Sequence, residues 1–303
     1  MPLQKNNKSM PFWAMIVWIL VALMCIGGYF LLQKKHPQPP AKPLKQAGKL
    51  PLKKAPPIPV GQVSKKTYPK PAGAVSYGKA AIIIDDWGYN RSHCQYLAQM
   101  PVPVAVAILP HLPYSKIIIQ CAKDNGQEPM LHLPFEPHSA KEAFEKDYDM
   151  TTDMSDAEAR AKVVKILNEM TGVVGVNNHT GSKGTEDEVL VTNVLTELKR
   201  RGLFFVDSMT SDRSVCGIVA QRLKMRIGRR DIFLDNRNER AYIERQFADA
   251  MQLVRQNGHA IIIGHDRALT LDVIIEQARK YSQEGYQFIT VKDYIRQYEY
   301  SGN

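Results

Sequence analysis

From Lys79 onward the chain alternates short apolar runs with longer stretches of helical periodicity. The runs Ala81–Asp85, Val104–Leu109, Met130–Leu133, Val173–Asn177, Leu203–Asp207, Ile232–Leu234, Ala260–Gly264 and Phe288–Val291 read as strands. Most intervals between them have helix length and helix punctuation. Ser155 to Glu158 and Thr185 to Glu188 each show the Ser/Thr-x-x-Glu spacing of a capping box, in which a hydroxyl and a carboxylate satisfy orphaned amides of the first turn. Gly126, Gly172, Gly202, Gly258 and Gly285 each fall just before a strand, where a residue without a Cβ ends a helix with least strain. No proline follows Pro137, and no internal repeat is visible. Strand, helix, strand at this spacing predicts βα units around a parallel sheet, open or closed into a barrel.

The pattern before Lys79 is different. Pro11 to Leu32 carries no charged side chain, with Trp13 and Tyr29 near its ends. At about 1.5 Å per residue such a run matches a bilayer's hydrocarbon core, and amphipathic rings favour its edges. It is too long for a signal-peptide core and lacks a small-x-small cleavage site. Met24 stands where a lipid-modified Cys25 would need a small residue. The expectation is an uncleaved anchor over residues 11–32, behind a flank of residues 1–10. Residues 33–79 hold 10 of the 19 prolines and 11 lysines with no acid. Such a stretch buries too little apolar surface to fold, so residues 33–78 read as an extended, self-repelling linker. The folded domain is then expected over residues 79–300. The lysines after the span would, by the positive-inside rule alone, place that domain in the cytoplasm. A long spacer instead suits a domain working away from the membrane, on a cell wall. The expectation is a single-pass bacterial inner-membrane protein with a periplasmic domain.

Charge sharpens this division. The net charge of +10 suggests a nucleic-acid binder, but residues 1–80 alone carry 13 lysines and no acid. All 30 acids lie at or after Asp85, against 27 bases, so the folded part sums to −3. Nucleic-acid binding by that part loses its support. Cysteine adds little. Cys25 lies in the apolar run, and Cys94, Cys121 and Cys216 are scattered without a C-x-x-C, which predicts buried thiols and no disulfide framework.

Candidate chemistry collects at the strand ends. Asp85 and Asp86 close the first strand, His132 the third, His179 the fourth, Asp207 the fifth, Asp235 the sixth and His265 the seventh. In parallel α/β folds those ends share the face on which active sites are built. Two His and an Asp from different strands form a ligand set for a catalytic divalent ion, zinc first, with a position left for water. Asp85 and Asp86 would point in different directions on a regular strand, one to a metal and one to take a proton from the water. His265 could protonate a leaving amine. Asp207 could orient His265 or cap the following helix. Trp87, Tyr89, Tyr114 and Phe135 follow these strands, where rings stack on sugars or pack under loops. Arg226, Arg229, Arg230, Arg237 and Arg240 read as a solvated rim. His93, His111, His138 and His259 have no strand-end placement.

Taken together, Ile82-Ile-Ile-Asp-Asp-Trp-Gly-Tyr-Asn90, His132-Leu-Pro-Phe-Glu-Pro137, Gly175-Val-Asn-Asn-His-Thr-Gly-Ser182, Phe205-Val-Asp-Ser208, Arg230-Asp-Ile-Phe-Leu-Asp-Asn236 and Gly264-His265 resemble the divergent polysaccharide deacetylase family. The resemblance covers about residues 79–295. It implies a distorted (β/α) barrel of parallel strands, related to carbohydrate esterases, and metal-dependent removal of acetyl groups from an N-acetylated polysaccharide such as peptidoglycan. It assigns Asp85 as base, Asp86 as ligand and His265 as acid. Related deacetylases take both His ligands from one H-x-x-x-H motif. Here His132 is followed four residues on by Glu136, so His179 is the expected second ligand, with Glu136 as rival ligand or substrate contact beside Trp87, Tyr89 and Phe135. The Arg-and-aromatic motif that shapes their oxyanion site has no clear counterpart. Two alternatives are an inactive envelope protein binding glycan or a partner through the same face, and another metallohydrolase.

Overall fold

The computed structural model of the chain describes residues 76–139, 141 and 147–298. The flank 1–10, the expected anchor 11–32 and the linker up to residue 75 lie outside the described residues. Among the described residues no helix is long and apolar enough to cross a membrane.

Among the described residues nine strands and eight α-helices follow one another: β1 Lys79–Trp87, α1 Cys94–Gln99, β2 Ala105–Ile108, α2 Ser115–Asp124, β3 Glu128–Phe135, α3 Asp156–Glu169, β4 Gly175–Thr180, α4 Glu188–Arg201, β5 Phe204–Asp207, α5 Cys216–Arg222, β6 Ile227–Arg229, β7 Ile232–Phe233, α6 Arg240–Asn257, β8 His259–His265, α7 Ala268–Gln283, β9 Gln287–Phe288 and α8 Val291–Gln297. Every paired strand is parallel, in the order β6-β5-β4-β3-β2-β1-β8-β7, with β9 on the start of β1. No pairing joins β6 to β7, so the sheet is a curled, incompletely closed barrel.

Two apolar clusters follow from strand periodicity. Ile82 and Ile84 of β1 face outward, with Leu131 and Leu133 of β3, onto helix residues such as Ile118, Val163, Val194 and Phe247. Ala81 and Ile83 face inward with Ala105, Ala107, Met130, Val206, Ile261 and Ile263. Val291, Tyr294 and Ile295 of α8 belong to this inner cluster and plug the bottom of the barrel. The three consecutive isoleucines of β1 are fully buried because both faces are covered; burial of each contributes about 1.5–3 kcal/mol. Gly175 permits close packing at the base of β4, where an added Cβ would lie 2.2 Å from the Phe204 ring.

Several expectations change. The Ser155–Glu158 capping box is present, but Thr185 does not cap α4. Its hydroxyl donates to the Gly181 carbonyl, a 3-10 turn occupies Gly184–Glu186, and Asp187 caps the helix by accepting from Leu190 N at 2.7 Å. The expected strand Phe288–Val291 ends at Phe288, because Thr290 caps α8 by accepting from Asp293 N. β6 is a strand that the apolar pattern missed, since its Ile-Gly-Arg sequence contains one apolar side chain. Cys94 and Cys121 form a disulfide across α1 and α2, with Cα atoms 6.1 Å apart, and correct the expectation of unpaired thiols; Cys216 is a buried free thiol. The five predicted helix-ending glycines all have positive φ.

Candidate metal centre and active site

The inward face of β1 continues from Ala81 and Ile83 to Asp85, which is 2% exposed. A regular strand would send Asp86 outward with Ile84. Instead the pairing with β2 shifts between Ile84 and Trp87, and Asp86 takes φ 66°. This left-handed step turns both carboxylates towards His132, the next inward residue of β3 after Met130. His132 Nε2 lies 3.6 Å from Asp85 Oδ2 and 3.4 Å from Asp86 Oδ1. On the inward face of β4, His179 Nδ1 lies 3.2 Å from Asp86 Oδ1 and 3.2 Å from His132 Nε2. Asp86, His132 and His179 therefore offer one oxygen and two nitrogens, all within 4.8 Å of one another. Asp86 Oδ1 is buried, with the His132 and His179 ring nitrogens as its polar neighbours, as suits an oxygen meant for a cation. This donor set fits zinc and similar divalent ions.

Asn177, buried on the inward face of β4, links the pieces. Its Oδ1 is 2.9 Å from His132 Nδ1, and its Nδ2 donates to Asp85 Oδ1 at 2.8 Å and to Ser208 Oγ at 3.2 Å. A hydrogen bond donated by His132 Nδ1–H to Asn177 Oδ1 leaves the lone pair on Nε2, the atom facing Asp86, so Asn177 sets the tautomer a ligand needs. Burial raises the Asp85 carboxyl above its usual range, opposed by His132 and His265. Burial would raise Asp86 as well, but contacts with His132 and His179 hold it far below that range. His132 is desolvated, yet Asp85 and Asp86 hold its protonated form to higher pH than usual.

Facing this group is an imidazole–carboxylate pair. His265 ends β8 in register with Asp85 on β1. Its Nδ1 is 2.7 Å from Asp235 Oδ1, while Asp235 Oδ2 accepts from Thr270 Oγ1 at 2.8 Å and from His265 N at 3.1 Å. Burial opposes charge on His265, but Asp235 outweighs it and raises the imidazole's pKa. Phe233 stacks on His265 at 5.7 Å, and the half-buried Arg230 guanidinium lies 3.9 Å from the Phe233 ring. Arg230 also donates to the Ser208 and Met209 carbonyls at 2.7 and 2.9 Å. It belongs to the wall behind the site rather than to a solvated rim.

A cavity of about 240 Å³ is lined by Asp85, Asp86, His132, His179 and His265, together with Asn178, Thr180, Ser182, Ser208, Thr210 and Phe233. Asp86, Thr180 (φ 49°) and Met209 (φ 51°) adopt left-handed backbone at or beside this mouth. Such strain is costly, most of all for a β-branched threonine, and collects where function demands it.

Six sequence-chosen residues therefore meet here or nearby, and others do not. Asp207 points outward like Phe205, accepts from Ser214 Oγ at 2.7 Å and Met209 N at 2.8 Å, and does not reach His265. Its expected orienting part falls to Asp235. Trp87 and Phe135 are 0% and 1% exposed core residues, so neither face can stack on a sugar. Glu136 is held by Lys183 Nζ at 2.7 Å and by Thr152 N and Oγ1 at 2.8 Å, which removes it as a rival ligand. Tyr89 remains 58% exposed, outside the cavity lining. His259 lies at the opposite end of β8, bonded to Tyr294.

Parallel strands curled around inward carboxylates and imidazoles define a (β/α)-barrel protein with its ionisable centre at the strand carboxyl ends. The pattern of the divergent polysaccharide deacetylases matches residues 82–295, and the chain belongs to that family. It is 39% identical over 196 residues to an uncharacterized protein of Haemophilus influenzae, covering 65% of this chain and 69% of that one. It is 35% identical over 197 residues to the uncharacterized protein YibQ of Escherichia coli, covering 65% of this chain and 61% of that one, so it spans less than two thirds of the latter's length. The uncharacterized protein ATU2773 of Agrobacterium tumefaciens shares the fold, with a TM-score of 0.67 at 22% identity over 75% of this chain and 93% of that one.

Proposed function

We propose that the domain is a metal-dependent deacetylase of an envelope polysaccharide, with peptidoglycan or an exported N-acetylated glycan as substrate. The observation that carries this reading is the convergence of Asp86, His132 and His179 within 4.8 Å, with Asp85 and the Asp235–His265 pair on the same cavity. Asp86, His132 and His179 hold the cation, zinc before other metals. A divalent cation there supplies Lewis acidity towards a water and an acyl carbonyl. Asp85, buried and held by Asn177, takes the proton from the attacking water. His265, with Nδ1 fixed on Asp235, presents its other nitrogen to the leaving amine and protonates it as the C–N bond breaks, so that water and amide become acetate and amine. Hydroxyls of Thr180, Ser182, Ser208 and Thr210 give the cavity a lining suited to a neutral polyol.

The test uses the full-length chain, stripped of metal and reloaded with single divalent ions, and measures acetate released from N-acetylglucosamine oligomers and peptidoglycan. Release restored by one or more ions is expected. Glycan binding without release, whatever the ion, overturns the enzyme reading in favour of a binding protein. His132→Ala and His179→Ala should each lose bound metal, whereas Asp85→Asn should keep it and lose about 10²–10⁴-fold in turnover. Full metal content in His179→Ala would remove that residue from the ligand set.

The same reading places the domain outside the cytoplasm, held by residues 11–32 at the inner membrane. The Pro/Lys-rich spacer supports this, as does the Cys94–Cys121 disulfide, since such bonds persist in oxidising compartments. A carboxyl-terminal reporter active only in the periplasm checks it; activity of a cytoplasm-only reporter would reverse it.

A further inference from the structure

His265 belongs to a short corner, His265-Asp266-Arg267, whose residues are tied in two directions. One set of ties runs to Asp235: His265 Nδ1 to its carboxylate, and Arg267 Nη1 to its backbone carbonyl at 2.8 Å. The other runs through Asp266 to the adjacent strand β1 and the segment that follows it. Its backbone N–H donates to the Asp85 carbonyl at 2.8 Å, and its carboxylate meets His93 Nδ1 at 2.6 Å. The Asp266 side chain is 4% exposed and that of His93 17%, so solvent does little to screen the pair. His93 itself is boxed in by the edges of Trp87 and Tyr96, with centroids 6.5 and 5.4 Å away. The next residue, Cys94, is bonded to Cys121 of α2. His93 is thus a fixed post on the segment that follows Asp86, and Asp266 is the hook that reaches it.

We propose that His93 and Asp266 are positioning residues that set the separation between Asp85 and His265. The proposal rests on the deacetylase reading for the roles of Asp85 and His265, though the placement of His265 can be measured without turnover. Two anchors are needed because the corner has two degrees of freedom. Asp235 fixes the orientation of the His265 ring, and nothing in that contact fixes its distance from β1 beyond the last ladder pair. The Asp266 N–H bond to the Asp85 carbonyl restrains the backbone there, and the His93–Asp266 side-chain contact holds the corner in that position. Its buried carboxylate is raised to about 6 by desolvation, opposed by His93, and Asp86 is the other charged neighbour acting on it. The contact is a hydrogen bond in either protonation state of Asp266, provided one partner carries the proton.

The experiment compares full-length Asp266→Ala, His93→Phe and His93→Gln with the wild type. His93→Phe keeps a ring between Trp87 and Tyr96 and removes the nitrogen. His93→Gln restores a donor that can reach the carboxylate. Misplacement of a reacting group by about 1 Å costs roughly 10²-fold, so a fall in kcat of about 10–100-fold is expected in Asp266→Ala and His93→Phe. KM and bound metal should stay within twofold, with partial recovery in His93→Gln. The double variant should be no worse than the poorer single one, because the two residues form one contact. Ring-nitrogen NMR gives the readout independent of activity: the His265 signals should move in both single variants and return towards wild type in His93→Gln. If the wild type itself releases no acetate, the deacetylase reading fails and the NMR result still decides the positioning claim. Unmoved His265 signals overturn it, as does kcat within twofold of wild type in both Asp266→Ala and His93→Phe.

Discussion

Asn177 and Asp207 lie on neighbouring strands near the same mouth, yet one joins the site and the other does not. The difference is parity. Along β5, Phe205 packs outward and Val206 inward, so Asp207 goes out with Phe205. Along β4, Val176 packs outward, so Asn177 and His179 go in. Counting alternate residues from apolar neighbours could have set aside Asp207 and found Asn177 in the sequence. Asp86 could not be placed in that way, because its direction depends on a left-handed step that no residue type announces. Asp235 was visible as a strand-ending acid, but its partner was not, since β7 and β8 are joined by the whole of α6. Its contact leads to a pH prediction. Burial opposes the charged His265 ring, and Asp235 more than offsets this, so the protonated acid persists above the usual imidazole range. Activity should therefore fall as pH rises through that raised value. Asp235→Asn should move the alkaline limb of kcat/KM to lower pH, while Asp207→Asn leaves it in place. An unchanged limb in Asp235→Asn would detach Asp235 from the acid.

At the scale of elements, apolar runs located most strands, whereas boundaries depended on contacts outside each run. The start of α4 shows why. Thr185 and Glu188 have capping-box spacing, but Thr185 is buried and its hydroxyl is taken by Gly181, so the cap passes to Asp187 two residues later. Asp187→Ala should cost about 1 kcal/mol of stability, read from denaturant unfolding, and Thr185→Ala should not mimic it through helix fraying. Gly175→Ala, which forces a methyl against the Phe204 ring, should cost about 1–3 kcal/mol by overpacking. A cost below 0.5 kcal/mol would mean that the base of the barrel yields easily. The Cys94–Cys121 pair was illegible for a simpler reason: sequence spacing does not report which helices lie side by side.

For the whole molecule, the barrel depends on pieces far apart in the chain. The disulfide closes a loop with a sequence separation of 27, and its reduction should lower stability by roughly 3.5 kcal/mol on the chain-entropy account. Urea unfolding with and without reductant checks this, and coincident curves would show the bond to be energetically idle. Charge, in contrast, was legible at this scale from the outset. The +10 total resolves into a basic amino-terminal quarter and a mildly acidic domain, and the domain's chemistry needs none of the excess lysines.

β1 carries Asp85 and Asp86, yet it is the first strand of the domain and an interior strand of its sheet. One edge is met early by β2, but the other waits for β8, whose pairing runs from Lys79↔His259 to Asp85↔His265. Roughly 180 residues must be made before that ladder can form, which is long-range pairing of the slowest kind. Until then, the Ile82-Ile83-Ile84 strand has one edge unpaired, a state prone to wrong associations. Base and acid come into register only when this ladder closes. A nascent chain, or one truncated before β8, is therefore without its reaction centre, because the β1–β8 ladder builds the middle of the sheet and the site together.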